Sequence, residues 1–116
     1  MMLSLEQVII KELIMMKMML TVKAVKRDNT QVTISMNRTR DITQKDIDNF
    51  TKKCDNSISD LYNSCVLKSM SIHLKVINDN GNTIENINQN LSNLVDLFKQ
   101  ITNYIMIANY CFSMRR

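Results

Sequence analysis

Apolar and polar residues alternate through Leu20, Val22 and Ala24, and again through Val32, Ile34 and Met36, on either side of a polar break at Asp28, Asn29 and Thr30. A period of two puts the apolar set on one side of a strand, so the pattern predicts a β-hairpin. Past Arg40 the period lengthens. Thr43, Gln44, Lys45 and Asp46 ahead of Ile47 form a helix start with a candidate cap. Ile47, Phe50, Cys54, Ile58, Leu61 and Cys65 then recur at intervals of three and four, which predicts one buried helix stripe from Thr43 to about Val66.

The flanking segments are less clear. Met70, Ile72, Leu74 and Val76 alternate with Ser71, His73 and Lys75 and end in Asn78-Asp79-Asn80-Gly81-Asn82, which reads as a third strand or as a bend between helices. After that turn, Thr83 can cap a long helix. Its apolar positions Ile84, Ile87, Leu91, Leu94, Phe98, Ile101, Ile105 and Ala108 alternate in threes and fours as a heptad seam does. Such a seam packs along another helix, either within the chain or in a second copy. Val95, Leu97, Tyr104 and Ile107 widen the apolar face toward a bundle contact. Leu5 to Met19 is ambiguous: Leu5, Val8, Ile9, Leu13 and Met16 mark a helical face, whereas the Val8-Ile9-Ile10 cluster favours strand. The expected class is α+β, with residues 1–116 as one domain: a small antiparallel sheet over 1–40, then a mainly helical region over 41–116.

With 116 residues, 45% of them hydrophobic, one domain can bury roughly two-thirds of its unfolded surface. One Gly and no Pro leave no glycine-rich phosphate loop, and the 10 Met indicate a core of adaptable side chains. The formal net charge of +4 permits weak attraction to polyanions. Lys23, Lys26, Arg27, Arg38, Arg40, Arg115 and Arg116 are spread out and not interleaved with aromatics, which reads as a solvated surface and argues against nucleic acid. The three Cys form no paired short spacing, so a reducing, cytoplasmic setting is expected. Charges at Glu6, Lys11, Glu12 and Lys17 interrupt the apolar start, so no membrane span or signal peptide is expected.

Catalytic chemistry has little to stand on. His73 is the only histidine and is expected to point outward from a strand. Cys54 and Cys65 would share a helix face roughly 16 Å apart, too far to share a metal. Each reads as a small buried apolar residue, and Cys111 is the thiol expected to react. No catalytic, metal or cofactor residue is assigned, and a non-enzymatic role is expected.

The stretch Gln7 to Ile47 resembles the closing part of the substrate-binding domain of the heat-shock protein 70 chaperones. Gln7-Val8 looks like that family's first strand here, Leu20-Thr21-Val22-Lys23-Ala24 its second and Val32-Thr33-Ile34-Ser35 its third. Arg40 and Thr43-Gln44-Lys45-Asp46-Ile47 look like the start of its helical lid. The likeness covers about a third of the chain, lacks the family's turn Gly, where Met18 stands, and includes no ATPase domain. It implies a chaperone-like fragment that binds unfolded polypeptide. The alternative from the residues is a structural or assembly subunit that docks on a protein partner or a second copy through Ile84, Ile87, Leu91, Leu94, Phe98, Ile101 and Ile105.

Overall fold

The computed structural model describes residues 16–78 and 82–114. Strand β1 (Lys17–Lys26) runs into β2 (Gln31–Arg38), helix α1 (Gln44–Asn63), β3 (Leu67–Ile77), β4 (Thr83–Leu91) and helix α2 (Leu94–Ser113). The strands make one antiparallel sheet in the order β2-β1-β3-β4. Both helices pack on the same face, α1 against β1, β2 and β3 and α2 against β3 and β4, with the two helices in contact.

The predicted hairpin forms around a turn that its residues dictate. Asp28 Oδ1 accepts the Thr30 N–H at 2.9 Å and the Thr30 hydroxyl at 2.6 Å, and Asn29 takes a left-handed φ of 70°, which Asn tolerates better than most residues. The period of two holds in β1 from Lys17 to Ala24: Met18, Leu20, Val22 and Ala24 are each 0% exposed. Ile34 and Met36 from β2 and Met70, Ile72, Leu74 and Val76 from β3 are also buried.

α1 begins where its cap signal stands. The Thr43 hydroxyl accepts the Asp46 N–H and the Asp46 carboxylate accepts the Thr43 N–H, forming a capping box. Phe50, Cys54 and Ile58 are buried along its inner side. The helix stops at Asn63 in a Schellman-type closure: Val66 N–H donates to Leu61 O at 3.0 Å, Cys65 N–H donates to Tyr62 O at 3.2 Å, and Cys65 sits at φ 60°. Cys65 is therefore exposed and lies beyond the helix, so it does not continue the buried stripe or share a helix face with Cys54.

The largest correction concerns 84–108. In place of one long helix from Thr83, residues Thr83–Leu91 are a strand paired with β3, and the second helix starts at Leu94 behind the Asn93 cap, whose side chain accepts the Asp96 N–H at 2.9 Å. Residues 41–116 thus supply half the sheet. The reason is a partner that no local window contains: β3, paired with β1 on one side, presents a free ladder of N–H and C=O groups on the other. Asn86, Asn88 and Asn90 are also poor helix formers. The strand-or-bend choice at Met70 to Val76 resolves as strand. The segment from Val8 to Ile14, on which the chaperone likeness partly rests, lies outside the described residues.

Candidate interaction surfaces

The seam proposed for docking divides between two elements. Ile84 and Ile87 stand on β4, 45% and 54% exposed, whereas Leu91, Ile101 and Ile105 are core residues and Leu94 and Phe98 are half-buried against that core. Leu94, Phe98, Ile101 and Ile105 keep the period of a helix facing its own sheet. The apolar surface left over lies on the opposite side of α2: Val95, Met106, Tyr110 and Met114 are 61–67% exposed. Spacings of eleven, four and four keep them on one side of the helix. From Gln100 to Met114 no residue carries a charge.

The C-terminal half of α2 is held in place by an amide clamp. The Asn109 carboxamide accepts the Ile42 N–H at 2.7 Å and donates to Ile42 O at 3.1 Å, fixing the helix to the backbone just ahead of α1. The clamp spans 67 residues of sequence, so nothing local could reveal it. Beneath it, Phe112 and Cys111 are buried. Cys111 is thus a core residue and not the accessible thiol expected, and burial pushes its ionisation up. Burial likewise pushes the Cys54 thiol up to about 12. Cys65 is the exposed cysteine.

A second surface lies at the corner where β1 begins and β2 ends. Lys17, Met19, Asn37, Arg38, Thr39 and Arg40 line a depression of about 540 Å³. Beside it Asp46 is the shared carboxylate. It takes Arg40 through both oxygens at 2.9 and 3.3 Å and lies 3.5 Å from Arg38 Nη2. Hydrogen bonds from Arg40 and then from the Thr43 N–H hold its carboxyl well below the usual range.

The open face of the sheet is mainly polar. His73 stands on it, half-buried, as the alternation predicted. Its Nε2 is 3.3 Å from Glu85 Oε1, which is also 3.7 Å from Lys75 Nζ, but the approach is not aligned for a hydrogen bond and Nε2 has no acceptor. This is a partly screened charge cluster on an exposed sheet. Among the described residues no group of three or more His, Cys, Asp or Glu is placed to hold a metal, and no helix is long and apolar enough to cross a membrane.

Comparison with known proteins gives no match to a family model, a curated protein or a solved structure.

Proposed function

We propose that this chain is a non-enzymatic protein-interaction module that docks on a partner protein through the outer face of α2. The observation that carries the reading is an exposed helix face holding Val95, Met106, Tyr110 and Met114, with no charged residue from Gln100 to Met114. Interface centres are depleted in charge and enriched in Met and Tyr, whereas a solvated helix face is rich in Lys, Glu and Asp. The assembly role, which the sequence offered as the alternative to a chaperone-like fragment, is kept here, but the contact moves to the opposite side of the helix. A photo-crosslinking residue in place of Tyr110, compared with one in place of Asp55 on α1, tests it. Discrete crosslinked products from position 110 alone, lost on Met106→Glu, support the reading. Equal products from both positions, or none, reject it.

Capture of extended polypeptide, the role the chaperone resemblance implies, is a second reading. It is favoured by β4, an edge of the sheet among the described residues, without Pro or Lys, that leaves Ile84 and Ile87 exposed. Edges of this kind can accept an added strand. Saturable binding of a labelled Leu-rich peptide, weakened by Ile87→Lys and unaffected by Met106→Glu, would favour the edge over the helix.

A further inference from the structure

We propose that the corner pocket between the start of β1 and the end of β2 binds a doubly charged phosphate group, with Lys17 and Arg38 as its ligands and Arg40 as a fixed positive wall. Three cations, Lys17, Arg38 and Arg40, line the depression with no carboxylate among its described lining residues. Asp46 offsets one of these charges, and its oxygens are already engaged by Arg40 and by the Thr43 N–H and hydroxyl. The surplus of two matches a phosphate monoester or diphosphate better than a carboxylate, which carries one charge.

The three cations are not equally committed. Arg40 is locked by its two-pronged bond to Asp46 and by donation to Asp41 O at 2.7 Å. Arg38 donates to Asn37 O at 2.8 Å, reaches Asp46 only at 3.5 Å and leaves its Nε with no acceptor, although that atom is shielded from water. A buried donor without a partner is costly. A modest turn of this guanidinium, whose side chain is 36% exposed, would present two N–H groups to one phosphate. Lys17 makes no ion pair among the described residues. Asn37 and Thr39 add polar groups, and Met19, 38% exposed, offers a polarisable apolar surface beside the charges. The ligand class is therefore a phosphate ester carrying an apolar or aromatic group. A volume of about 540 Å³ is in the range of small-molecule sites.

Titration of the full chain with inorganic pyrophosphate and with adenosine diphosphate tests the site, using Lys17→Gln, Arg38→Gln and, as a control of equal charge loss on α1, Lys52→Gln. The expected result is saturable binding, weakened about tenfold by each pocket variant and unchanged by Lys52→Gln. Lys17 is exposed, so its variant keeps the test valid even where Arg38→Gln alters folding, which thermal unfolding of each variant reports. Co-sedimentation with phosphatidylcholine vesicles containing phosphatidic acid separates the sources. Binding competed by pyrophosphate assigns the site to a lipid headgroup, and binding of the soluble probes alone assigns it to a free phosphate ester. Absence of saturable binding to any of these probes, or equal weakening by Lys52→Gln, overturns the proposal. So does binding to single-stranded oligonucleotide alone that the pocket variants leave intact.

Discussion

α1 and α2 are each 20 residues long, start at a side-chain cap and lie side by side on one face of the same sheet, yet they meet solvent in opposite ways. The outward side of α1 is charged, with Lys45, Asp48, Lys52, Asp55 and Asp60 exposed. The outward side of α2 carries Val95, Met106, Tyr110 and Met114, with Lys99 its one exposed charge and Thr102, Asn103 and Ser113 the polar residues between them. The sheet requires an apolar inner stripe from both and places no demand on their outer sides. Large apolar side chains on an outer side are therefore not required by the sheet, and on α2 they are the residues that the proposed docking would use.

The inner sides should behave alike. Ile58 on α1 and Ile101 on α2 are both 0% exposed, so Ile58→Ala and Ile101→Ala should each lower unfolding free energy by about 2–5 kcal/mol in denaturant titrations. A negligible loss for either would break the equivalence of the two helices as core elements.

The next effect concerns how each helix is anchored. Asn109→Ala should cost about 1–3 kcal/mol because it strands the Ile42 N–H and C=O. Asp46→Asn should cost about 1–2 kcal/mol at neutral pH through the weakened cap and the lost Arg40 pair. It should also change the acid limb of stability. The folded carboxyl ionises below its ordinary value of 3.8, so the contribution of Asp46 is complete above that value and is lost as pH falls beneath it. Thermal unfolding between neutral pH and pH 3 should therefore fall less steeply for Asp46→Asn, and less steeply for it than for Asn109→Ala.

The helix ends also differ. α1 closes through a left-handed Cys65, whereas α2 ends at Met114 in the right-handed region. Cys65→Gly should raise stability by about 1 kcal/mol, because Gly meets no Cβ clash at that φ, while Met114→Gly should give no gain. The smallest folding effect belongs to the outer sides. Met106→Glu with Tyr110→Glu should shift stability by less than about 0.5 kcal/mol while abolishing partner capture, and Lys52→Ala with Asp55→Ala should change neither. Loss of folding in the first pair would mean that α2's outer side is part of the core.

Local signals served well where the partners of a residue are close in sequence. Asp28, Asn29 and Thr30 make their own turn, and Thr43 and Asp46 cap their own helix. They failed at Ile84, Ile87 and Leu91, whose spacing fits a helix but whose backbone found the open ladder of β3. They also failed at Cys65 and Cys111, since exposure depends on where a helix stops and what lies over it.

The sequence by itself determined the hairpin, the capped α1, the inner stripe of α1 as far as Leu61, that of α2 from Leu94 to Ala108 and the α+β class, because each follows from periodicity and capping within a few residues. Only the tertiary structure decided that 83–91 is a strand, that Asn109 clamps Ile42, that Lys17 joins Arg38 and Arg40 in one pocket, and which side of α2 is left facing outward. Those outcomes depend on hydrogen-bond ladders and charges brought together from distant parts of the chain, and no local window of residues contains both members of such a pair.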